Sequence, residues 1–390
     1  MATYQQLQRD PVSRALFNNN RITTLEGLQR TLKDHAFIAL DTEHGPIESG
    51  KSRALYQIGL AYLPPMAPYV DIPHQPQPHL DDFINKNEIQ CRTLNINISK
   101  QTREDLIRRG GGIPNRRPSR CGCERQVNLV DDLESAVIEF IQDYHGNSTT
   151  KLVLVGFEMA AEWNYLLRNF PKAIPYFSSW MDLRDVAKDL TAAVGVIPGR
   201  VSVLQALGYH WKDIKGSNKY GGTADNAGND AISVLAMASG FLNRENRERL
   251  RFRQKCSLIA RHTYNEDKIT FGAAIRSQEG SLPNAIDSTM KLARYFFDFT
   301  PTSTGLKSAE IAFITFENES HLNQFIQANN QRLLPTGEIL SVVPITIGES
   351  AGAREAIERE EKQRLRAIKK AERLEIDAGL DEGYMTMFEE

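Results

Sequence analysis

Cysteine is scarce, with four in 390 residues: Cys91, Cys121, Cys123 and Cys256. So few in so long a chain excludes a disulfide-framed fold and fits a reducing compartment, so an intracellular location, nucleus or cytoplasm, is expected. Cys121 and Cys123 form a close pair, but no second pair stands at ligand spacing, so the zinc signal is weak. No apolar run approaches the roughly 18 residues that suggest a membrane span, and no membrane partner is expected. The first ten residues lack an apolar core, so a signal peptide is not expected. Charge of one sign is also lacking: the formal net charge is −2. That excludes binding to nucleic acid by overall charge and leaves only local basic patches.

What is present is a soluble-protein composition and a length suited to two domains. Residues 1–20 are polar and read as a flexible lead-in. Thr24 is a good helix N-cap, followed by Leu25, Leu28 and Leu32 at helical spacing. Apolar strands are predicted over 36–40, 55–63 and 67–72. From 73 to 126 periodicity fails and Pro, Arg, Asn and Gly accumulate, which predicts a long insertion loop. Its most basic stretch holds Arg108, Arg109, Arg116, Arg117 and Arg120, read either as a solvated loop or as an arm contacting phosphates. Beyond it, a strand at 127–130, a helix capped by Asp131 or Asp132, a strand at 151–155 and a helix over 159–169 are predicted. A strand near 178–183, a short helix ended by Gly208 and a helix over 226–242 follow. This alternation predicts an α/β sheet with flanking helices over 21–247 and a charged linker over 248–262.

Three places put carboxylates at element ends. Asp41 and Glu43 close the first long strand; two residues apart, they share a face. Adjacent carboxylates repel, and a divalent cation relieves that repulsion. Glu162 follows the strand ending at Gly156, and Asp225 and Asp230 flank the start of the 226–242 helix. In this order the motifs resemble those of the DEDD 3′→5′ exonucleases, which have a ribonuclease-H-like fold. Asp41-Thr42-Glu43 is similar to the first motif, and Tyr56 to Ala61 to the family's second strand. Glu162 stands where the family has Asp, and Asp225 where its DEDDh branch has His, five residues before Asp230. The Asn226 to Ala231 run resembles a divergent ribonuclease-H-like group common in fungi.

The resemblance implies two Mg²⁺ or Mn²⁺ ions held by Asp41, Glu43, Glu162 and Asp230, with a general base at position 225. Two such ions stabilise the entering and leaving oxygens of an in-line displacement. An Asp, with an ordinary pKa of about 3.9, is a poorer base near neutral pH than a His of about 6.5. Crowding by other carboxylates would raise that value, or Asp225 could serve as a fifth ligand, as all-carboxylate ribonuclease-H sites work without the His. His44 is a second candidate base, but strand alternation turns it from the Glu43 face. The expected function is a nucleic-acid-binding protein with an exonuclease fold and weakened or lost activity. The alternative is an inactive relative acting as an RNA-binding or protein-interaction adaptor in RNA processing or silencing.

Residues 263–348 resemble an RNA-recognition motif, a smaller ferredoxin-like α+β fold. The similarity rests on a first strand at 268–274, a helix over 288–296, the strand Ala309 to Phe316, a helix from Glu319 and a strand over 337–345. In that family sheet aromatics stack bases, which makes Phe313 and Phe271 the candidate contacts. RNA or single strands are therefore the favoured partners; the alternative is a protein-binding version of the same fold in which Phe313 and Phe316 are simply packing. Residues 349–390 alternate acidic and basic residues at helical spacing, predicting a charged helix that is solvated or docks a protein partner.

Overall fold

A computed structural model of the chain describes residues 10–47, 52–66, 78–113, 116–146, 149–192, 199–210, 226–260 and 271–345. Two compact units divide it, Met1–Gln254 and Lys255–Glu390.

The first unit opens with helix α1 (Pro11–Asn19), strand β1 (Arg21–Ile22) and helix α2 (Leu25–Asp34). Strands β2 (His35–Ile47) and β3 (Ser52–Leu63) form an antiparallel pair. Helix α3 (Leu80–Asn87), strand β4 (Gln90–Asn97), helix α4 (Lys100–Gly110) and strand β5 (Glu124–Asn128) come next. They are followed by α5 (Leu133–His145), β6 (Lys151–Gly156), α6 (Ala160–Asn169), β7 (Ser179–Asp182) and α7 (Leu183–Leu190). Helices α8 (Arg200–Ala206) and α9 (Ala227–Gly240) follow, and α10 (Arg244–Ile259) crosses the boundary between the units after Gln254.

The seven strands make one mixed sheet in the order β1-β7-β6-β2-β3-β4-β5, parallel except where β3 runs against β2 and β4. This mixed α/β architecture is compatible with a ribonuclease-H-like fold. Strand alternation divides the core between the two sheet faces. Phe37 and Ala39 of β2 pack with α2, α7, α8 and α9, whereas Ala36, Ile38 and Leu40 pack with α5 and α6. Both faces are covered, which explains why 36–40 is apolar without a break.

Four sequence expectations are corrected here. The 73–126 stretch is not a loop where it is described: it supplies two helices and two sheet strands. Its strand β4 is rich in Asn, Thr and Arg, and becomes a strand by pairing β3 on one side and β5 on the other. The flexible lead-in is helical from Pro11, because Asp10 accepts from the amides of Val12 and Ser13 and Leu16 is buried. The strand expected at 127–130 lies at 124–128. The linker is helical to Ile259: Arg244–Glu248 and Glu245–Arg249 pairs line α10, and buried Leu250 joins the first core. The strand expected at 67–72 and the charged tail at 349–390 lie outside the described residues. None of the described helices is long and apolar enough to cross a membrane.

The second unit runs β8 (Gly272–Ser277), α11 (Thr289–Tyr295), β9 (Ser303–Leu306), β10 (Ile311–Thr315), α12 (Glu319–Asn329) and β11 (Leu340–Ile345). Its sheet is antiparallel throughout, in the order β11-β8-β10-β9. Ala312, Ile314 and Phe316 join Phe296 and Phe325 in one core. Strand β8 begins at Gly272, later than the 268 expected, and residues 261–270 are outside the described set.

Candidate metal centre

The site is built where β2 meets the start of α9. Asn226 caps α9, its side chain accepting from the Gly228 amide at 2.9 Å. The Ala227 amide donates to Gln57 Oε1 of β3 at 2.9 Å, and Asn226 Nδ2 to Glu124 Oε1 of β5 at 3.1 Å. Helix and sheet nearly touch: a Cβ on Gly59 would lie 1.9 Å from the Ala227 carbonyl oxygen. The close approach sets Asp230, one turn into α9, beside the end of β2.

Asp41, Glu43 and Asp230 each place a carboxylate oxygen within 4.8 Å of the others, an arrangement that could hold a metal ion. Oxygen-only donors suit a hard divalent cation. They open onto a cavity of about 360 Å³ whose wall includes Phe157, Glu158 and Ser202.

Two arginines enter the cluster. Arg200, at the start of α8, contacts Asp41 Oδ1 with Nη1 at 3.1 Å and Asp230 Oδ2 with Nη2 at 2.5 Å. Arg116 contacts Glu43 Oε2 with Nη2 at 2.9 Å, donates to the Tyr56 hydroxyl at 3.2 Å and stacks over that ring at 5.4 Å. Burial pushes the Asp41 carboxyl up to about 7; Arg200 opposes the rise, and Glu43 and Glu162 add to it.

Glu162 does not join the three. Its Oε1 accepts from Thr42 Oγ1 at 3.0 Å, and Thr42 points to the face of β2 opposite Asp41 and Glu43. Glu162 is 7% exposed, its Oε2 has no hydrogen-bond partner, and burial raises its pKa to about 7. Asp225, the other departure from the exonuclease pattern, lies outside the described residues. His44 is turned to Arg53, whose guanidinium donates to Nδ1 at 2.8 Å, and to the Tyr165 ring at 5.5 Å.

The basic stretch is also redistributed. Arg116 is in the acidic cluster, and Arg120 pairs with Asp81 at 2.7 Å. Arg108 pairs with Asp105 in the exposed last turn of α4, Arg109 is exposed beside it, and Arg117 is half-buried. A single phosphate-contacting arm is therefore not what these five residues form. In the second unit, Phe313 lies on the sheet face opposite the helices but is 1% exposed, its ring over Gly305. Phe271 packs instead against the helix-side core, so the two do not share a face.

Arg200 was not anticipated as a site residue. Its only sequence signal is a cation directly after Gly199 at a helix start, which is common on surfaces. Glu158 was missed as well: it takes a left-handed φ of 64° in the turn after β6, held by Asp182 accepting from the Glu158 and Met159 amides. No known protein-family profile matches the chain, and no curated protein matches it in sequence.

Proposed function

We propose that the first unit is a ribonuclease-H-like domain of the DEDD type whose acidic site has turned from two-metal hydrolysis to a binding role. The carrying observation is Arg200, whose guanidinium spans Asp41 and Asp230. With Glu162 held by Thr42 on the other face and Glu158, in the cavity wall, paired with Arg184 at 2.7 Å, three carboxylates converge where the family holds a pair of ions with four. The Asp-to-Glu and His-to-Asp departures at 162 and 225 point the same way.

For the second unit, the β-α-β-β-α-β succession and the sheet order support an RNA-recognition-motif-like fold. Buried Phe313 and helix-side Phe271 favour its protein-contacting version over a base-stacking platform. The whole chain is then an exonuclease-like adaptor in RNA metabolism, acting by binding and not by turnover.

A second reading keeps a live Mg²⁺- or Mn²⁺-dependent enzyme. The observation favouring it is the convergence of Asp41, Glu43 and Asp230 at an open cavity, from which Arg200 could withdraw. Degradation of 3′- and 5′-labelled RNA and DNA with Mg²⁺, Mn²⁺ or EDTA decides between them, with a filter-binding assay on the same strands. Binding without cleavage is expected. Metal-dependent shortening from the 3′ end that Asp41→Asn abolishes would overturn the proposal.

A further inference from the structure

The cysteines take no part in the acidic site, yet two of them meet. Cys91 lies in β4, 2% exposed. Cys121 lies in a turn closed by the Gly122 amide donating to the Ser119 carbonyl at 3.1 Å, with Gly122 at φ 68°. The Thr93 amide donates to the Cys123 carbonyl at 2.8 Å, drawing this turn alongside β4. Cys91 Sγ is 3.6 Å from Ser119 Oγ, and half-buried Cys121 packs against the core cluster that contains Cys91. Cys121 thus sits two residues from the Ser119 that touches Cys91, and the two thiols are near enough for each to perturb the other's ionisation. Cys121 is the more exposed of the two, so it is the thiol that a small disulfide can reach first, and its thiolate is the attacking form.

We propose that Cys91 and Cys121 are a redox pair that closes into an intrachain disulfide when the protein meets a small disulfide such as oxidised glutathione, fastening the segment 116–123 to β4. The reaction proceeds by thiol–disulfide exchange. The Cys121 thiolate attacks one sulfur of oxidised glutathione, forming a mixed disulfide and releasing one glutathione thiolate. Cys91, its proton passing to the released glutathione thiolate, attacks the Cys121 sulfur and expels the second glutathione, which takes a proton from solvent. Two protein thiols are oxidised and one glutathione disulfide is reduced to two thiols.

The fastened segment is the strap that carries Arg116 to Glu43. It is already tied to α9, with the Arg120 amide donating to Asn229 Oδ1 at 2.9 Å and Asn229 Nδ2 to the Pro118 carbonyl at 3.1 Å. It is tied to β5 by the Ser119 amide on Glu124 Oε1 at 2.8 Å. The disulfide would add a covalent tie to β4, whether or not the acidic site hydrolyses anything.

The test treats the full chain with oxidised glutathione, blocks free thiols by alkylation, then digests with trypsin for tandem mass spectrometry. The expected product joins peptide 87–92 to peptide 121–125 through Cys91 and Cys121. It should vanish in Cys121→Ser and persist in Cys123→Ser, with circular dichroism confirming that both variants fold. Native-state trypsin cleavage after Arg120 should slow by about fivefold or more on oxidation, because that cut needs local opening of the strap. A Cys121–Cys123 link, a cross-link to Cys91 that survives in Cys121→Ser, glutathione adducts alone, or an unchanged cleavage rate would each overturn the proposal.

Discussion

Arg200 occupies carboxylate oxygens that a divalent cation at this site would also need. A guanidinium spread between two carboxylates offsets their repulsion without needing an ion, and removing it leaves three acidic groups converging. Arg200→Ala should therefore raise Mn²⁺ affinity about tenfold or more while lowering stability in metal-free buffer, given the charge it leaves unpaired. Calorimetric titration with Mn²⁺ measures this, and equal affinity in the two proteins would remove Arg200 from the site. Glu162 offers a separate test. Burial raises its pKa from 4.5 to about 7. Between those values the folded protein keeps a proton that the unfolded chain has lost, so this contribution to stability is full below the lower value and is lost as pH rises through the upper. Glu162→Gln keeps the acceptor for Thr42 and cannot ionise. It should be more stable than the parent at about pH 8 by on the order of 2–3 kcal/mol, with the gap narrowing towards about pH 4.5. Urea denaturation across that range reads the difference. A gap of opposite sign would mean that the carboxylate is held as an anion.

At the level of elements, the junction of α9 with β3 decides whether Asp230 reaches Asp41. A Cβ on Gly59 would meet the Ala227 carbonyl and come within 2.4 Å of the Gly228 amide nitrogen, both backbone atoms that cannot rotate aside. Gly59→Ala should cost on the order of 3 kcal/mol or more and weaken cation binding together with stability, since the helix start must shift. Thermal denaturation and a Mn²⁺ titration of the same variant check both; a stable protein would mean that α9 can slide without cost. In the second unit, Phe313 is filled in against Gly305 and is not presented to solvent. Phe313→Ala should behave as a cavity mutant, losing about 3–5 kcal/mol. If denaturation instead shows unchanged stability while RNA affinity falls, the base-stacking role expected from its position returns.

For the whole molecule, α10 decides where the first unit can be cut. Leu250 is fully buried in the first core, and Arg251 Nε donates to the Leu190 carbonyl at 2.7 Å. A fragment ending at 259 should unfold cooperatively. One ending at 247 should lose on the order of 2–4 kcal/mol by exposing the cavity left by Leu250. Comparing the two fragments by thermal denaturation tests this, and equal midpoints would return 248–259 to the status of a linker.

Much of this was legible in the chain itself. The unbroken apolar run at 36–40 marked a strand buried on both faces, and the two-residue spacing of Asp41 and Glu43 put them on one side of it. Both follow from covalent geometry, which spacing encodes. Asn226 as the cap of the helix bearing Asp230 was local in the same way. Strand β4 was not, because a polar strand exists only by virtue of the partners that satisfy its backbone. Which face Glu162 would take was set by the packing of Trp163 and Leu166 against the α5 side of the sheet. Arg200 stands 159 residues from Asp41, and nothing in its neighbours announces the pairing. Charge pairs at such a separation are chosen by where the folded backbone brings the side chains, so that a guanidinium reaches this acidic cluster was decided by tertiary structure alone.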